Sequence, residues 1–119
     1  MAELLGTFEQ IILLAVMTLE EDAYGRSVLR ESQASGASER TMAAGAVYST
    51  LDRLEEKGYL VSRLEAGMPE RGGRARRFYR LTANGVVALN ETRRTLVRIW
   101  RGKQRKLKTW SPSKYIGEA

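Results

Sequence analysis

The sequence predicts a mostly α-helical chain with one small β-hairpin. Three observations lead to this prediction. An amphipathic segment ends at Gly58, two apolar and aromatic runs follow it, and the connection between those runs is rich in Gly and Arg. Helix, strand, basic loop and strand in this order are typical of a winged helix-turn-helix. We therefore expect this fold over residues 1–81, a long C-terminal dimerisation helix over 82–110 and a tail over 111–119.

The composition limits the chemistry that the protein can perform. Its 119 residues suit a single domain and include neither Cys nor His. Disulfides, thiolate nucleophiles, imidazole bases and His- or Cys-ligated zinc are therefore excluded. No carboxylate pair lies where a catalytic pocket is expected. We therefore predict a protein that is not an enzyme and that needs no cofactor or metal.

The charge is unevenly distributed along the chain. Residues 1–62 hold five basic and ten acidic groups, a net charge of −5, whereas residues 63–119 hold fifteen and four, a net charge of +11. Such asymmetry is typical of a protein with one face that meets a polyanion. A solvated surface of high isoelectric point would have the same composition, so charge alone does not decide between them.

The first helix is predicted to run from Thr7 to about Leu19, with Thr7 and Gln10 as a capping box. It is apolar on nearly every side between Ile11 and Met17, so a further helix or a second subunit should cover it. We place Ile12 in that subunit interface. The apolar run follows an acidic start and is far shorter than the roughly twenty residues that span a bilayer. We therefore expect a cytoplasmic protein without a membrane partner.

The second and third helices should form the helix-turn-helix. Asp22 is the predicted N-cap of the second helix, which should end at Gly36. The third helix should begin between Thr41 and Ala44 and end at Gly58. Its buried stripe is predicted from the helical spacing of three apolar residues, Val47, Leu51 and Leu54.

Two strands are predicted after the third helix, Tyr59–Glu65 and Arg76–Leu81. We expect Leu60 near Arg80 and Leu64 near Arg76 in the hairpin. The connection over residues 66–75 holds three Gly and one Pro and is too irregular for a helix or strand. Its arginines make it a basic wing.

The last helix should begin after a Thr82 cap and run unbroken to about Trp110. It carries an apolar stripe with nothing after it in the chain to pack on. We therefore predict that it contacts a second copy, through Val86, Leu89, Leu96 and Trp100.

Four segments resemble the PadR family of bacterial transcriptional regulators. They are LLGTFEQIILLAVM, AYG, GAVYSTLDRLEEKGYL and GGRARRFYRLTANG, which together span residues 4–85. The resemblance implies a winged helix followed by a dimerisation helix. It also implies a homodimeric repressor that binds double-stranded DNA and in some members responds to a small aromatic or drug-like effector.

The predicted DNA contacts lie on the third helix and the wing. Candidates that face the groove are Gly45, Ala46, Tyr48 and Ser49, and candidate phosphate contacts are Arg53, Arg71, Arg74 and Arg76. Tyr48 could equally pack the helix onto the wing, and Arg53 could pair with a neighbouring carboxylate. Trp100 could form an aromatic wall of an effector site or pack against the partner.

Two other function classes remain open from the sequence. A winged helix can be a protein-interaction module that binds an acidic partner through its basic face. It can also be a ligand sensor whose DNA affinity is weak or regulated. The basic run over 93–108 could add outer phosphate contacts or form the solvated side of the last helix.

Overall fold

The computed structural model of the protein describes residues 3–36, 40, 42–68 and 72–112. Its elements are α1 (Thr7–Leu19), a 3₁₀ turn (Glu20–Asp22), α2 (Gly25–Ala34), α3 (Ala44–Glu56), β1 (Leu60–Glu65), β2 (Arg76–Leu81), α4 (Ala83–Trp100) and α5 (Lys103–Thr109). This order confirms the predicted fold class. Two predicted features, Arg71 and residues 113–119 of the tail, lie outside the described residues.

One hydrophobic core joins the first three helices to the hairpin. On α3 the predicted stripe of Val47, Leu51 and Leu54 is buried, which confirms the helical spacing. Gly58 then ends the helix with a backbone φ of +83°, a conformation that favours glycine. The buried stripe leaves the opposite edge of α3 free of core contacts.

The exposed face of α1 is not the predicted one. Ile12 has 0% of its surface accessible because it lies inside the core of its own subunit, so its predicted place in a subunit interface is wrong. Leu14, two residues later, is 44% exposed, and Met17 is exposed on the same side. The sequence showed an all-round apolar helix but could not show which side the domain itself covers.

The helix caps also differ from the prediction. Gly6 is the N-cap of α1, and its N–H donates to Glu9 Oε1 at 3.1 Å, so the Thr7–Gln10 capping box is wrong. Asp22 lies in the 3₁₀ turn, and Tyr24 is the N-cap residue of α2. Several small or polar residues lie near each helix start, so the residue pattern alone does not identify which of them is the N-cap.

The hairpin has a register one residue away from the predicted one. Leu60 pairs with Leu81 and Leu64 with Arg77. This register places two apolar side chains together on the core face, and a shift by one residue would turn every side chain to the other face. The Tyr79 N–H also donates to the Ala23 carbonyl at 2.8 Å, and an isolated β-bridge pairs Tyr24 with Phe78, so the segment before α2 is attached to β2 of the two-stranded hairpin.

The C-terminal helix is broken, whereas one continuous helix was predicted. It ends at Trp100, and Gly102 has a φ of +79° before α5 begins at Lys103. α4 turns its small residues, Gly85 and Ala88, toward the domain. Leu89 also packs against the core, whereas Val86, Val97 and Trp100 are exposed.

A buried hydrogen bond attaches α4 to the N-terminal segment. The Leu5 N–H donates to Thr92 Oγ1 at 3.1 Å, and Thr92 is buried. A buried donor without a partner is costly, so this bond fixes the segment against the middle of α4. The beginning of the chain thus holds the last long helix in place.

Candidate nucleic-acid interface

The exposed edge of α3 is made of small residues. Gly45, Ala46 and Ser49 are all exposed, and the Ser49 hydroxyl donates back to the Ala46 carbonyl at 3.2 Å. A Cβ atom added at Gly45 would meet nothing within 4 Å. This edge has the low profile that a helix needs to enter a DNA groove closely.

Tyr48 lies at the rim of this edge, with 43% of its surface exposed. Its ring also lies against α2, where a Cβ atom added at Gly25 would be 3.0 Å from Tyr48 Cε1. The packing alternative raised from the sequence placed the ring against the wing, whereas the structure places it against α2. The ring packs between two helices and still offers surface to a partner.

Arg53 is exposed on the next turn of α3, and its guanidinium donates to Thr50 Oγ1 at 3.2 Å. No ion pair of Arg53 is found among the described residues. The surface pairing with a carboxylate, which the sequence left open, is therefore absent from this part of the chain. The charge of Arg53 also contributes to lowering the pKa of the Glu9 carboxyl.

Carboxylates at the C-terminal end of α3 face the hairpin. Glu55 accepts a hydrogen bond of 2.5 Å from the Ser62 hydroxyl, and Arg77 donates to the same hydroxyl at 3.0 Å. Burial raises the pKa of the nearby Tyr79 phenol, and the charges of Asp52 and Glu55 raise it further. The acidic end of the helix is thus engaged with the sheet.

The wing carries its described arginines in two different environments. Arg74 is exposed on the loop, whereas Arg76 at the start of β2 is half-buried. The Arg76 guanidinium carbon lies 4.0 Å from the centroid of the Tyr24 ring, a close cation–π contact. The loop is tightly folded, since a Cβ atom at Gly67 would collide with the Gly73 carbonyl.

Residues 24 and 25 connect the helix edge to the wing. Tyr48 of α3 contacts Gly25, and Arg76 of β2 stacks on Tyr24. Because residues 24 and 25 are neighbours, with Cα atoms about 3.8 Å apart, these two contacts attach α3 and the root of the wing to the same point of the domain. The sequence offers no local signal for these contacts of Tyr24 and Gly25.

An open apolar groove of about 810 Å³ lies between α1 and α4. The four predicted interface residues of the last helix line it, together with exposed residues of α1. The apolar lining comprises Leu14, Met17, Leu81, Val86, Leu89, Leu96, Val97 and Trp100. Trp100 is 47% exposed there. The structure thus gathers these residues into one open surface whose lining includes no residue of α3.

A charged cluster links the end of α3 to the beginning of the chain. Lys57 Nζ lies 2.8 Å from Glu9 Oε2 and 3.4 Å from Glu3 Oε1. Burial would raise the pKa of Glu9, but hydrogen bonds from Lys57 and the Gly6 N–H, with the Lys57 charge, hold it below its ordinary value. The hydrogen bond with Glu9 raises the pKa of Lys57.

Two further properties concern the described residues alone. None of their helices is long and apolar enough to cross a membrane. Nor do these residues contain a cluster of three or more metal-ligating side chains.

Comparison with known proteins identifies the family. No curated protein sequence matches the chain. A PadR family transcriptional regulator from Eggerthella lenta is 26% identical, with a TM-score of 0.66 over 84% of this chain and 82% of that one. A PadR-like transcriptional regulator from Bacillus cereus shares the fold at 22% identity, with a TM-score of 0.67 over 89% and 95%.

The family model for PadR-like transcriptional regulators matches residues 13–91, from the middle of α1 into α4. This match covers the helix-turn-helix, the hairpin and the first half of α4. The chain therefore belongs to the PadR-like family of DNA-binding transcriptional regulators.

Proposed function

We propose that the protein is a homodimeric, sequence-specific repressor of a near-palindromic operator. The observation that carries this proposal is the pair of contacts made by residues 24 and 25. Tyr48 of α3 contacts Gly25 and Arg76 of the wing root stacks on Tyr24, so both elements are attached to neighbouring residues. Residues 1–81 would bind DNA and residues 82–110 would hold the dimer together. The two α3 helices would enter major grooves about 34 Å apart, one turn of the duplex.

Each site residue would have a distinct part in this complex. Gly45, Ala46, Tyr48 and Ser49 would meet base edges, which carry sequence information. Arg53, Arg74 and Arg76, with Arg71 in the undescribed part of the loop, would meet phosphates. Such contacts give affinity that is shared by all sequences.

The apolar groove supports the proposal of a dimer. An open apolar surface of this kind, rimmed by polar residues, is typical of a protein interface. A second copy of the same groove would cover Leu14 and Met17 with the stripe of α4. The two-fold symmetry of such a pair would match a palindromic site.

The same groove supports an effector site. Its volume lies within the range of roughly 300–1,000 Å³ that drug-sized ligands occupy. Trp100 and the leucines would contact a flat aromatic molecule, and Arg93 and Asn90 at the margin could contact its polar groups. Binding there would bias the relative position of two subunits and so release the operator.

Titration of a labelled duplex from the region upstream of the gene, across a salt series, tests the proposal. The logarithm of affinity should fall linearly with the logarithm of salt concentration, with a slope of about −0.9 per neutralised phosphate. A scrambled duplex of equal length should bind more weakly. Equal affinity for both would leave only non-specific binding. No binding to either would favour the protein-interaction class instead.

A further inference from the structure

Two contacts at the start of α2, Gly25 with Tyr48 and Tyr24 with Arg76, bear on how the protein would bind DNA. We infer that Tyr24 and Gly25 are positioning residues that together set the placement of the two DNA-contacting side chains, Tyr48 and Arg76, without touching DNA themselves. This inference rests on the proposed DNA interface. It gives residues outside both α3 and the wing an influence on the specificity and the affinity of DNA binding.

Gly25 determines where the Tyr48 ring can lie. A Cβ atom at position 25 would be 3.0 Å from Cε1, 3.4 Å from Cδ1 and 3.7 Å from Cζ of that ring. The ring therefore occupies the space that any other residue would fill. Since Cζ bears the hydroxyl, the absence of a side chain at Gly25 places the polar end of Tyr48 as well as its ring.

Tyr24 determines where the Arg76 guanidinium lies. The cation stacks at 4.0 Å from the ring centroid, and the ring is itself held edge-on against Phe78, with centroids 5.5 Å apart. Glu65, directly across the ladder from Arg76, forms its ion pair with Arg63 instead. No ion pair of Arg76 is found among the described residues. The aromatic face is thus the described contact that orients this charge.

The two contacts are tied together because the residues are neighbours in the chain. A β-bridge joins Tyr24 to Phe78, and the Tyr79 N–H donates to the Ala23 carbonyl at 2.8 Å. The wing and α2 are therefore attached at the same point where Tyr48 rests. The distance between the groove-facing tyrosine and the wing arginine is set at this point.

A double-mutant cycle in the full-length protein tests the role of Gly25. Gly25→Ala should weaken binding of the upstream duplex about fivefold, the effect of losing roughly one hydrogen bond. Tyr48 is partly exposed and its ring can move aside, so the thermal unfolding temperature should hardly change. In a Tyr48→Ala background the same Gly25→Ala change should have no effect, since no ring remains to be displaced. An equal loss in both backgrounds, or none in the wild type, overturns this role.

Conservative and non-conservative changes test Tyr24 in the same assay. Tyr24→Phe keeps the aromatic face and should bind like the wild type. Tyr24→Leu should weaken binding about threefold or more, because the cation–π contact is lost. In an Arg76→Gln background, Tyr24→Leu should cause no further loss.

The outcomes separate this inference from the proposed function. If Tyr24→Phe binds as weakly as Tyr24→Leu, the hydroxyl itself contacts DNA and the positioning role is wrong. If the wild type binds the duplex and every substitution at positions 24 and 25 is neutral, only the inference fails. If the wild type binds no duplex, the proposed function fails and the inference fails with it.

Discussion

At the scale of single residues, two substitutions should distinguish affinity from specificity. Arg74→Ala should weaken binding to every duplex by a similar factor and reduce the salt slope by about 0.9, since one phosphate contact is lost. Ser49→Ala should change the ranking of operator variants while it leaves the salt slope unchanged. Competition titrations with a panel of single-base variants measure both. An unchanged salt slope in Arg74→Ala would contradict the wing assignment.

Individual residues also separate what the sequence could and could not predict about the site. Gly45, Ala46 and Ser49 were expected on the exposed face of α3, and all three are exposed. The stacking of Arg76 on Tyr24 could not be predicted, because the two residues are far apart in the chain and meet only after folding. Ile12 was misplaced because a helix with apolar residues on every side gives no periodic signal.

The Glu9 carboxylate should make stability depend on pH. Its pKa is lower in the folded protein, so its contribution is present above the unfolded value, near 4.5, and is lost as pH falls through the folded value. Lys57 has a raised pKa, so its contribution is present below 10.5 and is lost as pH rises through the folded value. Between these limits the cluster should be intact.

Urea unfolding of Glu9→Gln across pH measures this contribution. The variant should lose about 1 kcal/mol or less near neutral pH. The difference from the wild type should shrink as pH falls below about 4.5 and through the lowered pKa of the folded protein, where the wild-type carboxyl becomes protonated. Glu3→Gln is the matched control, because Glu3 is more exposed and lies farther from Lys57. A difference that stays constant down to the acid limit would exclude the charge as its cause.

At the scale of elements, apolar spacing predicted helices and strands better than it predicted their ends. The α3 stripe and the extent of β2 follow directly from their residue patterns. The hairpin register and the break between α4 and α5 each depend on a single position, so the spacing of apolar residues did not predict them. Gly102 favours the end of a helix, but Leu96 and Trp100 before it and Leu107 after it continue the helical spacing of apolar residues.

Replacing Gly102 should join the two C-terminal helices. Alanine is disfavoured in the left-handed conformation by roughly 1–2 kcal/mol and favoured over Gly within a helix by about 1 kcal/mol. Both effects favour a continuous helix, so Gly102→Ala should raise the far-UV circular dichroism signal for helix. Gly45→Ala is the control, since Gly45 is already helical. A lower helical signal would show that other contacts impose the bend.

The Leu5–Thr92 hydrogen bond should contribute measurably to stability. Thr92→Val keeps the side-chain shape but leaves the buried Leu5 N–H without its acceptor, which should cost about 1–3 kcal/mol. Urea unfolding measures the loss. Thr95→Val, one turn along the same helix and only half-buried, should cost much less. Equal stability of the two variants would mean that water replaces the Thr92 hydroxyl.

For the molecule as a whole, the two candidate surfaces have different chemistry. The α3 edge consists of small residues and is followed by Arg53 on the next turn, whereas the α1–α4 groove is apolar and open. The sequence indicated both surfaces through charge asymmetry and through an unpartnered apolar stripe. It could not show that Leu14 and Met17 would complete the groove, because this depends on how α1 and α4 pack.

A charged residue in the groove should separate the subunits. Leu14→Glu places a carboxylate where a second copy would bury it, which is strongly unfavourable. We expect a monomer by sedimentation velocity, with weaker binding to a palindromic duplex. Leu64→Glu is the control, because Leu64 is exposed on the hairpin and lies outside the groove. A Leu14→Glu protein that remains dimeric would place the interface elsewhere.

The hydrogen bond between Ala23 and Tyr79 has one more consequence. It attaches β2 to the segment before α2. The hairpin and α2 therefore lose their independent motion when the chain folds, and not when the protein binds a ligand. The entropy of immobilising them is therefore absent from the cost of association. Under the proposed function, changes limited to the outer rim of α3 would then alter which DNA sequence is bound and would leave the phosphate contacts of the wing unchanged.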